Sequence, residues 1–391
     1  MEPLIIEELS REFLFSEDAI RAIERAYPNN ALEVLQALKS PPPWYTIRVN
    51  SLKTTIERLV RELREIGVDA TPHPSLDDCL LVRIRGPFKV PLESKYVVVD
   101  KVTAESVLLG ANVYAPGIKK CTGVHKGDRV NIVDVHGQIV AAGVTRLNEA
   151  EILSTRSGLA VEITATRYRV PSLRETLQFR QGLIFPQSVA AIVTGHVLDP
   201  KPGEKILDMN CAPGGKLSHV CQLTKNQASV IGVDRRSRKI DATKETLTRL
   251  SCNGVQLLRH DSRYLDRDFP TMQVDKVIVD PPCSALGLNP KLYEDITLKE
   301  IADLANYQKQ FLNTASQVVR RKGVILYSVC TITIDECEEI VSYAQEKLGL
   351  ELVSQEPVLG APGLWEDAKL AQRFHPHIQQ TGFFIAKFFK P

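Results

Sequence analysis

An excess of charge of either sign is nearly missing from this chain. Its 49 lysines and arginines face 47 aspartates and glutamates, for a net charge of +2. Any affinity for a polyanion must therefore come from local basic patches. Paired cysteines are missing too. The eight cysteines lie far apart with no Cys-x-x-Cys, which suggests neither a disulfide framework nor a zinc ribbon and fits a reducing cytoplasm. No apolar run approaches the length of a membrane span, and Met1 to Arg11 is acidic and lacks the shape of a signal peptide. A cytoplasmic protein with no membrane partner is expected. At 391 residues the chain is long for one core, so two or three domains are expected.

What is present is organised around Lys205 to Lys216, Lys-Ile-Leu-Asp-Met-Asn-Cys-Ala-Pro-Gly-Gly-Lys. An apolar run ends in Asp208, a Pro-Gly-Gly turn follows, and Leu217 to Leu223 reads as helix. That is the first unit of a doubly wound α/β sheet, which binds ligands outside the carboxyl ends of its strands. Gly214 and Gly215 let the backbone bend and approach a ligand closely. The turn is not Gly-x-Gly-x-x-Gly, which counts against a nicotinamide enzyme.

Ahead of it, residues 1–40 read as helical, interrupted at Asn29-Asn30 and stopped by Pro41-Pro42-Pro43. Tyr45 to Val49 and Cys79 to Ile84 read as strands. Thr54 to Ile66 is a helix with Ile56, Leu59, Val60, Leu63 and Ile66 on one face. Residues 1–94 form a helical and α+β accessory domain on this reading. From 95 to 168 the texture is a small β-barrel, with strands at Tyr96–Val99, Lys126–Val133, Gln138–Gly143 and Ala160–Thr166 and a short helix at Ala104–Leu109. Gly110 to Ile118, followed by Lys126-Gly127-Asp128, resembles the PUA domain, an RNA-binding barrel of RNA-modifying enzymes. By that resemblance Tyr114, Lys119 and Lys120 contact RNA through stacking and phosphate pairing. A barrel that only packs the domains together is the alternative. Next, Arg167, Tyr168, Arg169, Arg174, Phe179 and Arg180 interleave cations with aromatics. That composition suits phosphate contacts, foremost by Arg167 and Arg180, with base stacking. An interdomain linker with extended arginines is the alternative.

From Gln187 onward strands alternate with helices, so 169–391 reads as a Rossmann-like α/β domain. Val230 to Asp234 is its second strand, and an acid there can accept both hydroxyls of a ribose. Lys239 follows on the next helix. Val255 to Leu258 leads to Asp261, Lys276 to Val279 leads to Asp280, and Gly323 to Val329 leads to Cys330. Four strand ends thus carry an acid and a fifth a thiol, on one edge of the sheet. Asp280-Pro-Pro-Cys283-Ser and Tyr327-Ser-Val-Cys330-Thr place two thiols at neighbouring strand ends, 47 positions apart. Cys79, Cys121, Cys221, Cys252 and Cys337 read as packing. A thiolate, an acid and a nucleoside site together suit cytosine C5 methylation. Addition of a thiolate at carbon 6 makes carbon 5 nucleophilic enough to attack a sulfonium methyl. Asp280 can hold the pyrimidine N3 and exocyclic amine. Either thiol could attack on this reading.

The chain resembles the Fmu/Sun family of RNA cytosine-5 methyltransferases, in the branch with a PUA domain ahead of the catalytic domain. The carrying residues are Asp208 to Lys216, Asp280 to Cys283, Tyr327 to Thr333 and Gly382-Phe-Phe-Ile-Ala-Lys387. The resemblance implies S-adenosylmethionine over the loop Cys211, Ala212, Pro213, Gly214, Gly215 and Lys216. It implies Asp234 for the ribose with Lys239 nearby, Asp261 on the adenine side, and Asp280 with Lys216 at the target base. It makes Cys330 the nucleophile and Cys283 the release cysteine. It also implies tRNA as substrate, with the cytosine near the 3′ end of the acceptor stem, position 72. A monomer is expected. Asn210-Cys211 before Ala212, Leu217, Ala285 and Val329 depart from the usual pattern. An rRNA or DNA cytosine-5 methyltransferase and a catalytically silent RNA-binding protein are the alternatives. His375-Pro-His377 lacks a third ligand, reads as surface, and no metal is expected.

Overall fold

The computed structural model describes residues 3–379 and 381–391. Three helices open the chain: α1 (Pro3–Phe13), α2 (Glu17–Ala26) and α3 (Ala31–Lys39). The break between α1 and α2 was not foreseen. Ser16 caps α2 by accepting from the Ala19 amide at 3.0 Å, which stops the preceding turn from running on. Then come β1 (Trp44–Val49), α4 (Ile56–Glu65), β2 (Ala70–His73) and β3 (Leu76–Arg83). On α4 the buried stripe is Leu59 and Leu63. Ile66, expected on that face, lies past the helix end and is 48% exposed.

The barrel holds β4 (Lys95–Val99), α5 (Lys101–Leu108), β5 (Val113–Tyr114), β6 (Ile118–Lys120), β7 (Arg129–Val133), β8 (Ile139–Thr145), α6 (Glu149–Thr155) and β9 (Leu159–Thr166). Its strands run in the order β5-β9-β8-β7-β4-β6 around a core of small aliphatic residues such as Val97, Val107, Ile132 and Val161. The link that follows contains α7 (Leu177–Arg180) and β10 (Ile184–Pro186). β10 returns to the first sheet, which is ordered β10-β1-β3-β2. A stretch read from sequence with the catalytic segment thus completes the N-terminal sheet.

The catalytic region continues with α8 (Val189–Leu198), β11 (Lys205–Asp208), α9 (Gly215–Leu223), β12 (Ser229–Asp234), α10 (Ser237–Arg249), β13 (Val255–Arg259), α11 (Leu265–Asp268) and β14 (Val274–Val279). After a long connection come α12 (Leu298–Val318), β15 (Val319–Val329), α13 (Glu338–Leu348), β16 (Glu351–Leu352), β17 (Ala361–Pro362), β18 (Gln372–Phe374), α14 (Pro376–Gln379) and β19 (Phe383–Phe389). The strands order β13-β12-β11-β14-β15-β19-β18-β17, with the first five parallel and β19 antiparallel. Runs such as Val277-Ile-Val279 are apolar throughout because helices cover both faces. Every parallel strand therefore delivers its carboxyl end to one edge.

The connection 281–297 has no regular structure of its own, a length that usually signals function. Leu286 joins the core of α1–α3, and Leu292 and Tyr293 join the barrel core. Glu294 bonds Lys291 and, at 2.8 Å, Lys101 of α5. Ile332 and Ile334, just past Cys330, pack on the same helices. The N-terminal helices and the barrel thus brace the two loops that carry the thiols.

Candidate active site

β14 and β15 are neighbours in register, so the residues after them are brought side by side. The Sγ atoms of Cys283 and Cys330 lie 3.4 Å apart, and one residue on, the hydroxyls of Ser284 and Thr331 are 2.6 Å apart. Both thiols are free and partly buried. Behind them sits Glu336, fully buried. It accepts hydrogen bonds from the Ser284 amide (2.9 Å), Gln308 Nε2 (2.8 Å), Thr333 Oγ1 (2.9 Å) and Thr331 Oγ1 (3.2 Å). Gln308 also donates to the Pro282 carbonyl, and Tyr327 Oη donates to Gln308 Oε1. One carboxylate therefore ties both thiol loops to α12. Sequence reasoning missed Glu336 and Gln308. The matched Cys-Ser and Cys-Thr steps were the signal that could have found the paired loops.

Gly287 closes the loop from the other side. Its amide donates to the Cys330 carbonyl at 3.1 Å, and its own carbonyl accepts from the Gly382 amide at 2.7 Å. A Cβ on Gly287 would stand 2.3 Å from the Gly382 oxygen. The approach needs both glycines, which gives Gly382 of the terminal motif a physical reason.

Asp280 accepts from Lys216 Nζ at 2.6 Å and from Ser328 Oγ at 3.1 Å. Lys216 also acts on Cys330. That thiol is drawn below its ordinary value by the hydrogen bond from Cys283, against burial and Asp280, with Lys216 adding to the fall. Cys283 is pushed up by the same hydrogen bond, by burial, and by the charges of Cys330 and Glu336. A carboxylate acts on each thiol, but Cys330 also has the hydrogen bond from Cys283 and the cation Lys216 in its favour, which makes Cys330 the easier one to ionise.

Along the same edge the acids fall as expected. Asp208 is 1% exposed, and burial with nearby Asp280 raises it to about 7, although the Asn210 amide and Lys216 favour its charge. Asp234 is 9% exposed, accepts the Arg236 amide at 3.0 Å, and has Lys239 at 3.6 Å. Asp261 is held below the usual carboxylate range by Arg263, which reaches both its oxygens at 3.0 and 2.7 Å. Beside this end, a cleft of about 720 Å³ runs from Arg235 to Asp295, Asp303 and Tyr307. It opens beside the ends of the strands that carry Asp234 and Asp261. Its carboxylates make it a poor channel for a polyanion.

The turn itself has the shape a ligand needs. Gly214 takes φ +100°, and its amide bonds the Cys211 carbonyl at 2.7 Å. Cys211 is buried, with its amide on the Val233 carbonyl, and burial pushes its thiol up. Ala212 is half-buried and Pro213 exposed. The first amides of α9, at Gly215 and Lys216, belong to those a helix leaves unpaired.

Tyr114, Lys119 and Lys120 are exposed on the barrel, and Arg167 and Arg180 are exposed on the link. None of the five is brought to the thiol loops by a recorded contact. The aromatics of the link turn inward: Tyr168 packs on the barrel core, and Phe179 packs on the first sheet under Arg249. Both rings are half-buried in those contacts, whereas the cations of the link stand exposed.

His375 is buried, contrary to expectation, with its Nδ1 3.0 Å from Tyr27 Oη. Sequence reasoning also missed a second histidine cluster. Asp78 of β3 bonds His196 of α8 (2.9 Å) and His219 of α9 (2.7 Å) through their Nε2 atoms. These ligand atoms could hold a metal ion by distance. The chemistry of the surroundings opposes it. His219 Nδ1 has no hydrogen-bond partner, whereas a ligating imidazole normally anchors that nitrogen. The guanidinium of Arg48 is fully buried nearby and, with burial, lowers His219 to about 4. The cluster is a clamp between the first sheet and the catalytic region.

Residues 195–389 match the family described as 16S rRNA methyltransferase RsmB/F, residues 95–166 the PUA domain, and residues 19–90 the ferredoxin-like domain of RsmF/B-like methyltransferases. A tRNA (cytosine(72)-C(5))-methyltransferase of Pyrococcus horikoshii is 39% identical, over 91% of this chain and 92% of its own. The chain belongs to the RsmB/F family of RNA cytosine-C5-methyltransferases. The mouse tRNA (cytosine(72)-C(5))-methyltransferase NSUN6 is 30% identical, over 98% of this chain and 95% of its own. The crystal structure of NSun6 from Pyrococcus horikoshii with SFG has a TM-score of 0.87 at 37% identity, covering 96% of this chain and 98% of that one. As a member of the RsmB/F family, this chain is an S-adenosylmethionine-dependent enzyme with a Rossmann-like catalytic domain, a ferredoxin-like domain and a PUA barrel.

Its residues fit that cofactor. Asp208 is a desolvated carboxylate held by one backbone amide, at the head of a turn where a cationic ligand would compensate its charge. Asn210 Oδ1, in the same turn, is a buried acceptor with no partner. Among the described residues no helix is long and apolar enough to cross a membrane.

Proposed function

We propose that this chain methylates carbon 5 of a cytosine near the 3′ end of the tRNA acceptor stem, position 72, through a covalent bond to Cys330. The observation that carries the reading is the thiol pair at 3.4 Å, with Lys216 and Asp280 on the Cys330 side. The names of the full-length relatives support the substrate. Bound S-adenosylmethionine supplies an electrophilic methyl on a sulfonium. The chain's own residues do the rest. The turn Cys211–Lys216, Asp234 with Lys239, and Asp261 position the cofactor. The Cys330 thiolate adds to carbon 6, and the electron pair released onto the ring makes carbon 5 the nucleophile. As charge moves through the ring N3 takes up a proton from solvent, and Asp280 accepts from that N3–H and from the exocyclic amine. After methyl transfer a base removes the carbon 5 proton and the C6–S bond breaks. The Cys283 S–H donates to the departing thiolate, restoring the starting pair.

A base paired in a stem cannot receive the thiolate in place, so the end of the stem opens or the base flips out. Tyr114, Lys119, Lys120, Arg167 and Arg180 hold the rest of the RNA. The protein acts in this reading as a cytoplasmic monomer without a metal. Its eight free cysteines suit a reducing compartment. Incubation of bulk tRNA with methyl-labelled cofactor, followed by mapping of the modified nucleotide, tests the proposal. Label at C72 is expected. Label in rRNA or DNA with none in tRNA, or none anywhere, would overturn it.

A further inference from the structure

The connector between the first sheet and the barrel is pinned to the far end of the barrel. Arg85 and Arg169 form an isolated antiparallel bridge, with amide–carbonyl bonds in both directions at 3.1 and 2.8 Å. The Phe88 amide donates to the Arg167 carbonyl at 2.7 Å. Between them, Gly86 has φ +134°, and a Cβ there would stand 2.5 Å from the Arg167 oxygen. The backbone is therefore fixed by a glycine that no other residue can replace without displacing the clamp.

Residues directly opposite in an antiparallel pair project their side chains to the same side, and like charges there repel. Here both are arginines. Arg85, Lys89, Arg167 and Arg169 are all exposed, and among the described residues none of them has an ion-pair partner. Phe88, in their midst, is 50% exposed. Two residues before Arg85, Arg83 lies 5.5 Å over the ring of Trp44, the residue opposite it in β1. Rigid backbone, uncompensated guanidinium groups and a solvated phenyl ring form a combination with no purpose inside the fold. Together they match a phosphate backbone with an unstacked base beside it.

We propose that this clamp is an RNA-docking track. Arg85, Lys89 and Arg169 hold phosphates of the substrate RNA, and Phe88 stacks on one unpaired base next to them. The track deepens the reading of a tRNA methyltransferase and rests on it. It moves the stacking role from Tyr168 and Phe179, which are turned inward, to Phe88.

The test measures tRNA affinity against salt for the full chain, by fluorescence anisotropy with an unmodified tRNA transcript. The double variant Arg85→Gln/Arg169→Gln should bind about tenfold more weakly at 0.1 M salt and lower the slope of log K against log salt by about two. Arg85→Lys/Arg169→Lys should keep the slope. Phe88→Ala should weaken binding about tenfold with the slope unchanged. Cofactor affinity and thermal midpoint should stay at wild-type values in all three, which shows that the fold is intact. Wild-type affinity and slope in the double variant, with methylation of tRNA intact, would overturn the track and leave the proposed activity standing. Absence of tRNA binding and methylation in the wild-type protein would instead remove the reading on which the track rests.

Discussion

Behind Cys283 and Cys330, one buried carboxylate takes hydrogen bonds from a backbone amide, an amide side chain and two threonines. Along Arg85, Arg167 and Arg169, exposed cations stand on a pinned backbone without a carboxylate to pair with. Both regions are rigid, by different means. The thiol loops are held by interior hydrogen bonds whose donors and acceptors are satisfied by each other, so the reacting atoms have one geometry. The basic strip is held only through its main chain, and its side chains stay free for a partner. Chemistry needs the first arrangement and recognition of a flexible polyanion needs the second.

The contrast can be broken by removing either kind of support. The largest effect is expected from Glu336→Ala, which leaves several buried donors unmet. It should cost about 3–5 kcal/mol of stability and lower activity with it, as read by denaturant unfolding. A loss under 1 kcal/mol would mean that the two loops hold themselves.

Asp208 sharpens the same contrast, because it is buried like Glu336 yet poorly compensated. Its folded pKa is raised to about 7, above the ordinary carboxylate range. Between about pH 4 and 7 the native state therefore binds more protons than the unfolded one, so this group's contribution to stability falls as pH rises through that window. Asp208→Asn should then stabilise the cofactor-free protein by about 2–4 kcal/mol at pH 8, with little difference at pH 4, while weakening cofactor binding. Urea titrations at the two pH values check it.

Next in size is Asp234→Ala. Loss of a buried ribose acceptor should weaken S-adenosylmethionine binding by one to two decades, from about 1.5–3 kcal/mol per charge-assisted bond, measured by calorimetry. Unchanged affinity would place the ribose elsewhere. The smallest effect belongs to the surface. Charge reversal at Lys119 and Lys120 should weaken tRNA binding and flatten its salt dependence, with stability unaltered because both side chains are exposed.

The same divide decides what could be read from the sequence. The catalytic edge was legible because each strand is a short apolar run that ends in Asp or Cys, and the parallel order puts those ends together. β10 was not, since Ile184–Pro186 is three residues long and its pairing with β1 is set by tertiary contacts. Glu336 was hidden in Thr-Ile-Asp-Glu-Cys-Glu-Glu, which looks like the solvated start of a helix; only the tertiary packing shows that Glu336 points inward towards α12 and Glu338 inward towards Arg373. Arg85 and Arg169 are far apart in the chain, and nothing local marks them as partners across a bridge. Tyr168 and Phe179 looked like stacking residues because composition does not say which side of a strand or helix faces water.

The division of labour between the two thiols is the central claim, and trapping of protein–RNA adducts tests it most directly. Cys283→Ala, mixed with tRNA and S-adenosylmethionine, should accumulate a covalent species that survives denaturing electrophoresis, because Cys330 still attacks but leaves slowly. Cys330→Ala should form no adduct and no product, with cofactor binding retained, and the double variant should behave like it. An adduct trapped in Cys330→Ala and absent from Cys283→Ala would contradict the account and make Cys283 the nucleophile.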